Sequence, residues 1–226
     1  MHPTPFRLKA QTQEFEHLFI PAQKATWAHN PQLMIVLHGR GDSLKPFRRI
    51  GGELQLPEMN YLLLNAPRRY AGGYTWYAFP PNQKRGVLLA RSKLYRLIHE
   101  LRLQGWPPEN LYFLGFSQGC LVTGDLALNY PYPLGGIVGV SGYFYLFPQW
   151  KKRLKPPFTP WLITHGKLDE DLPIDFTRRQ VEEIRQAGYP VQWREYKKGH
   201  EFSLKELNDI RTWLRARFYK RDLVSL

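Results

Sequence analysis

The sequence predicts an α/β fold with a mainly parallel central sheet of about seven strands and helices on both faces. Short apolar runs ending in glycine or turn residues alternate with longer stretches of helical periodicity, the pattern of parallel strands joined by crossover helices. Several of the runs are apolar throughout, as expected of strands covered on both faces. The chain has 226 residues, enough to bury roughly 70–75% of its unfolded surface without a disulfide or metal staple. Its 43% hydrophobic, 15% aromatic and 23% charged residues form a globular balance that excludes disordered and fibrous classes.

The predicted strands, in order, are EFEHLFI (14–20), LMIVLHG (33–39), YLLLNAP (61–67), LYFLGFS (111–117), GGIVGVSG (135–142), WLITHG (161–166) and VQWREY (191–196). Between them, the segment 86–105 places Leu89, Lys93, Leu94, Leu97, Ile98 and Leu101 at largely helical spacing and stops before Gly105 and Pro107. Residues 118–131, 173–188 and 203–219 read the same way, the second opening at Pro173 and ending at Gly188. Ser203 with Glu206 spells a capping box for the last helix. No repeat, low-complexity tract or interdomain linker interrupts the series, and the Pro-rich stretch 155–160 reads as a loop inside one domain spanning 1–226.

A single cysteine, Cys120, excludes an intramolecular disulfide framework and a multi-cysteine zinc site, which fits a reducing compartment. The N-terminal residues lack the apolar core of a signal peptide, and no stretch approaches the roughly 20 apolar residues of a membrane span. The expectation is a cytoplasmic protein. The net charge of +13 favours anionic ligands, yet the basic residues are spread out. The densest groups are Lys151, Lys152, Arg153 and Lys155, and Arg215, Arg217, Lys220 and Arg221. A solvated basic surface is the expected meaning, with no nucleic-acid partner.

GFSQG, residues 115–119, falls where a strand gives way to a helix, the context that lends force to the short pattern G-x-S-x-G. The glycines permit a sharp turn that projects the hydroxyl of Ser117, with the N–H of Gln118 beside it at the start of the helix. A serine hydroxyl needs a base, and in this architecture the chain order is serine, acid, histidine. Only His165 and His200 follow Ser117, and His165 precedes the nearest suitable acids, which leaves His200 as the base. The acid is expected in HGKLDEDLP, where Asp169 is the choice and Asp171 the alternative; it would hold the imidazole in the correct tautomer. Asp125, on the helix after the turn, precedes that loop and reads as a locally hydrogen-bonded carboxylate.

LHGRGDSL (37–44) contains an Arg-Gly-Asp triplet that could signal cell adhesion, and glycines that could cradle a phosphate. Adhesion needs an exposed extracellular loop, and no Walker G-x-x-x-x-G-K-[ST] pattern accompanies the glycines. A third meaning fits better. An oxyanion hole needs a second backbone N–H besides that of Gln118, supplied by the loop after an early strand. The backbone N–H of Arg40 is the candidate, flanked by Gly39 and Gly41.

With LHGRGD, NAP, GFSQG, HGKLDEDLP and GHEFS in this order, the chain resembles the phospholipase/carboxylesterase group of α/β-hydrolases, which includes acyl-protein thioesterases and small bacterial carboxylesterases. The resemblance spans most of the chain. It implies an α/β-hydrolase fold and hydrolysis of carboxylic esters or thioesters through Ser117, Asp169 and His200, with Arg40 and Gln118 forming the oxyanion hole. It implies no metal or organic cofactor. Two departures stand out: acyl-protein thioesterases usually continue the elbow as Gly-Gly, where Cys120 follows Gly119 here. Their Trp-Phe-Asp segment resembles WYA (76–78), which lacks the acid. Cys120 reads as a small packed residue.

Two aromatic segments, 70–81 and 141–150, follow strand ends on the side where parallel α/β sheets bind ligands. Trp76, Tyr77, Tyr143 and Phe144 are expected to line an apolar acyl or aromatic-ester site. The basic run 151–155 would favour an anionic or lipid-like substrate. Carboxylesterase is the leading function, lysophospholipase or acyl-thioesterase the alternative with the same residues, and a non-catalytic binding protein the alternative of another class.

Overall fold

A computed structural model of the protein describes residues 8–24, 31–148, 150–153 and 159–222. Seven strands form one sheet: β1 (His17–Ile20), β2 (Leu33–Leu37), β3 (Asn60–Leu64), β6 (Leu111–Phe116), β7 (Gly136–Val140), β8 (Trp161–Gly166) and β9 (Val191–Tyr196). A separate two-stranded hairpin pairs β4 (Arg68–Tyr70) with β5 (Gly73–Thr75). The sheet order is β1-β3-β2-β6-β7-β8-β9. β1 runs antiparallel to β3, and every other neighbouring pair is parallel. The mainly parallel α/β architecture expected from the sequence is therefore present.

The apolar runs are explained by two-sided burial. In β2, Leu33, Ile35 and Leu37 enter one core, while Met34 and Val36 enter the other, the period-two alternation of a strand. All five residues are buried, each contributing about 1.5–3 kcal/mol of transfer free energy relative to exposure. On the first face lie α2 (Gln83–Leu103), α3 (Gln118–Asn129) and α4 (Ile174–Gln186), which supply Val87, Leu121 and Val181 among others. On the second lie the short α1 (Ile50–Leu54) and α5 (Leu204–Asp222), with Ile50, Ile210, Trp213 and Leu214.

Three details depart from expectation. The first strand begins at His17 rather than residue 14, because Glu14 pairs with Lys93 and Arg96 on α2 instead of joining the ladder. In α2 the buried stripe is Val87, Ala90, Leu94, Leu97, Ile98 and Leu101, and Leu89 lies on the exposed side. Its neighbour Lys93 reaches the Glu14 carboxylate at 3.1 Å. The β4–β5 hairpin and α1 were not expected; elements of three to five residues carry too little periodicity to declare themselves.

The capping box forms as spelled, Ser203 N–H donating to Glu206 and Glu206 N–H to the Ser203 hydroxyl, both at 3.3 Å. Residues 155–158 of the Pro-rich stretch lie outside the described residues. Among the described residues, no helix is long and apolar enough to cross a membrane.

Candidate active site

β6 ends at Phe116 and α3 begins at Gln118, so Ser117 alone makes the turn between them. It sits at φ 52°, ψ −113°, a conformation that costs a non-glycine residue of order 1–3 kcal/mol. The surroundings enforce it. Ser117 N–H donates to Val140 O at 2.8 Å, and its carbonyl accepts from Cys120 N–H at 3.0 Å. A Cβ at Gly119 would run into the carbonyl oxygens of Leu37 and His38, so only glycine lets α3 start this close to β2. The N–H of Gln118 is in the first turn of α3, where no intrahelical acceptor exists.

Beyond β8, the loop bearing the acids meets the loop between β9 and α5. His200 Nδ1 lies 2.8 Å from Asp169 Oδ2, while the other carboxylate oxygen accepts the N–H of Leu172 at 2.9 Å. The Asp169 carboxylate is fully buried, and the His200 side chain is 19% exposed. Asp171 is exposed and makes no contact of this kind. The geometry thus joins Asp169, and not Asp171, to His200.

His165 lies beneath, its side chain fully buried and Nε2 donating to Leu172 O at 2.8 Å. The same nitrogen lies 3.4 Å from Asp169 Oδ2; the shorter contact identifies the carbonyl as its main acceptor. Burial holds the His165 pKa below the usual histidine value, which keeps the ring neutral.

The loop after β2 is fixed from two sides. His38 is fully buried, accepts the N–H of Ala66 on Nε2 at 3.0 Å and places Nδ1 2.5 Å from Gly39 O. That pairing requires the neutral Nδ1–H tautomer, and burial lowers the pKa accordingly. On the other side, Gly41 N–H donates to Tyr74 O and Tyr74 N–H to Asp42 O, both at 2.8 Å. A side chain at residue 73 would strike the Gly41 carbonyl, so the hairpin needs glycine there to dock.

The side chain of Gln118 completes the frame. Its Oε1 accepts from Trp76 N–H at 2.8 Å and the Thr75 hydroxyl at 3.0 Å, while its Nε2 donates to Tyr77 O at 2.8 Å.

These segments enclose a cavity of about 400 Å³. Ser117, Gln118, His200, Gly39 and Arg40 line it together with Tyr77, Tyr143, Phe79 and Phe116. Asp42, Asp171 and Leu172 complete the wall.

Two expectations about the wall need correction. Trp76 is fully buried below the site, its indole N–H donating to His38 O at 2.9 Å. Phe144 packs on Trp161 with ring centroids 5.4 Å apart, and its main chain is bracketed by Gln180. Neither lines the cavity. Of the basic run 151–155, Lys151 pairs with Glu183 at 3.3 Å and does not line the cavity, and residues 154 and 155 lie outside the described residues. Asp125, as its position suggested, is locally bonded, to Arg91 at 2.7 Å through both oxygens. Cys120 is buried, and burial pushes its thiol up to about 12.

Sequence reasoning missed Phe79, Phe116 and the side-chain roles of His38 and Gln118. Phe79 is 52% exposed at the cavity mouth, with the Arg40 guanidinium 3.8 Å from its centroid and 4.2 Å from that of Tyr70. Arg40 also donates to the Tyr70 hydroxyl. Phe116 packs against the His200 ring, with centroids 5.0 Å apart. Only the adjacency of Phe116 to Ser117 could have pointed to it; the Ala66 partner of His38 and the partners of Gln118 lie far away along the chain.

A strained serine after a central strand, a histidine held by a buried carboxylate, and a shared cavity at the C-terminal edge of a parallel sheet are the hallmarks of a hydrolase built on the α/β-hydrolase plan. Comparison with known proteins narrows this. The family described as Phospholipase/Carboxylesterase matches residues 22–218, and the chain belongs to that family.

It is 28% identical over 217 residues to a probable carboxylesterase of Oryza sativa subsp. japonica, covering 87% of this chain and 82% of that protein. It is 29% identical over 224 residues to acyl-protein thioesterase 1 of Yarrowia lipolytica, covering 86% and 94%. The crystal structure of Arabidopsis thaliana SOBER1 superposes with a TM-score of 0.76 at 26% identity, covering 83% of this chain and 99% of that one.

Proposed function

We propose that this hydrolase cleaves carboxylic esters by nucleophilic catalysis at Ser117. His200 Nε2 removes the proton of the Ser117 hydroxyl as the oxygen attacks the ester carbonyl. The backbone N–H groups of Arg40 and Gln118 bind the oxyanion. The tetrahedral adduct collapses as His200 returns the proton to the leaving alcohol, and the acyl group stays on Ser117. Water, deprotonated by the same histidine, then attacks the acyl-enzyme and releases the acid. Asp169 keeps the proton of the neutral ring on Nδ1 and stabilises the imidazolium as it forms.

The observation that carries this reading is the 2.8 Å contact of His200 Nδ1 with a fully buried Asp169 carboxylate, on the cavity that Ser117 lines at φ 52°. Thioesters enter the same chemistry with a thiolate leaving group, and the kinship to acyl-protein thioesterase 1 supports that second reading.

For the pocket, Tyr77 and Tyr143 are assigned to the acyl wall. The anionic preference is moved from the run 151–155 to the guanidinium of Arg40. Taking 1–226 as one domain rests on the family match, and a cytoplasmic location on the single buried cysteine.

The test is hydrolysis of p-nitrophenyl esters of increasing acyl length. Ser117→Ala and His200→Ala should each lower kcat by about 10⁴-fold or more, and Asp169→Asn by about 10⁴-fold. Activity surviving in Ser117→Ala overturns the assignment.

A further inference from the structure

Lys198 lies two residues before His200 and is only 4% exposed. Its ammonium meets three acceptors: the Ser141 hydroxyl at 2.9 Å, the Glu201 carbonyl at 2.5 Å and Glu206 Oε2 at 2.9 Å. An ammonium has three protons to donate, so the set is complete. The side chains of Lys198 and Glu206 are 2% and 0% exposed, a wholly buried ion pair.

Such a pair is weak evidence for stability. Desolvating both ions costs several kcal/mol each, and apolar residues of similar volume often serve as well or better. What this pair does instead is join elements. Ser141 follows β7, at φ 48°, with its N–H bonded to Thr164 O of β8 at 2.9 Å. Glu206 sits in the first turn of α5. The main chain of Lys198 adds a fourth link, its carbonyl accepting the N–H of Leu168 from the Asp169 loop at 3.0 Å. One residue therefore ties together the end of β7, the start of α5, the acid loop and the turn that carries the histidine. Around His200 the turn is further pinned by Gly199 N–H donating to Glu201 Oε1 at 3.0 Å.

We propose that Lys198 is a positioning residue for His200, holding the histidine turn in register with Asp169 and Ser117 through its buried bonds to Glu206 and Ser141. This rests on the reading of His200 as the general base. Loss of the tether lets the turn relax, and a displacement on the order of 1 Å at a reacting group can cost about 100-fold in rate.

The experiment compares native protein with K198M, the double variant K198M/E206M and the milder Ser141→Ala, on a neutral p-nitrophenyl ester, with S117A as control. K198M alone strands a buried carboxylate and should lose both thermal stability and activity. In the double variant the stranded charge is gone, so Tm should rise above that of K198M, stopping short of native by the capping bond that Glu206 accepts from Ser203 N–H, while kcat stays about 10- to 100-fold low and KM moves less than about threefold. Ser141→Ala, which removes one acceptor and leaves the ion pair in place, should lower kcat by a smaller factor, with Tm lower by a few degrees. The downfield proton resonance of the His200–Asp169 hydrogen bond should broaden or shift in the variants that lose rate.

Native kcat in the double variant, or in Ser141→Ala should the double variant not fold, overturns the positioning role. Activity retained in S117A would instead overturn the reading beneath it.

Discussion

The carboxamide of Gln118 grips the main chain of Trp76: its Oε1 accepts the Trp76 N–H at 2.8 Å, and its Nε2 donates to the next residue's carbonyl, Tyr77 O, at 2.8 Å. A side chain at the start of α3 thus fixes the segment that carries the cavity wall, whose Trp76 indole in turn bonds to His38 O below the loop of Arg40. The residue whose backbone is assigned to the oxyanion hole also holds, through its side chain, the frame of the other donor.

Gln118→Ala keeps the backbone N–H and removes only the grip. The variant strands the buried N–H of Trp76, at a cost of about 1–3 kcal/mol where no replacement forms, while the Thr75 hydroxyl and the Tyr77 carbonyl keep their own bond at 2.8 Å. Tm should fall by several degrees, at about 2–4 °C per kcal/mol for a chain of this size. kcat should drop about 10- to 100-fold, with a smaller change in KM. A scanning-calorimetry trace paired with steady-state kinetics checks both. Native kcat in a destabilised variant would confine Gln118 to packing.

His38 and His165 give the fold a pH dependence of definite sign. Both are buried and held below the usual histidine pKa by desolvation, so the folded state keeps them neutral where the unfolded chain, titrating near 6.5, already takes up protons. Their contribution is fully present above about pH 6.5 and declines as the pH falls through that value toward the folded pKa. The slope is at most about 1.4 kcal/mol per pH unit for each histidine. Carboxylates with lowered pKa, such as Glu195 at about 2, act at lower pH, and the buried Asp125, whose pKa burial raises, acts with the opposite sign, so a fall in stability between pH 6.5 and 5 points to the histidines. Urea unfolding across that window should show falling stability, and His165→Asn should flatten the slope.

Much of this was legible in the sequence because it is written locally. LMIVL and WLITHG announce buried strands, and GFSQG announces a turn whose strain only a strand-to-helix junction can hold. Ser203 and Glu206 sit within one helical turn of each other, so their box could be read off directly. Trp76 and Phe144 were misplaced for a different reason. An aromatic residue after a strand end can face the cavity or the core, and the choice is made by partners distant in sequence, His38 for one and Trp161 for the other. The same distance hides Lys198, whose role depends on Ser141, 57 residues away.

Cys120 follows the elbow so closely that thiol chemistry needs a direct test. The thiol is buried and pushed up to about 12, leaving almost no thiolate at neutral pH. N-ethylmaleimide should leave both Cys120 and esterase activity untouched in the folded protein and label the residue fully in denaturant. Mass spectrometry of the two samples reads the outcome directly. Rapid labelling of native protein with parallel loss of activity would place a reactive thiol at the site.

Arg40 offers a handle on substrate choice that leaves the assigned oxyanion donor intact. Its guanidinium lies between Phe79 and Tyr70, its residue lines the cavity, and among the described residues no carboxylate pairs with it. Asp42 and Asp171 line the same cavity and oppose an anion, so the expected preference is modest. Arg40→Gln retains the backbone N–H. It should lower kcat/KM for an ester with a carboxylate on its acyl chain, such as a hemisuccinate, by about 3- to 10-fold, while the matched neutral ester changes less than twofold. Raising the ionic strength shortens the Debye length from about 10 Å at 0.1 M to about 3 Å at 1 M and should weaken the native preference in the same direction. Equal losses on both esters would show that the guanidinium supports the loop and does not read the substrate.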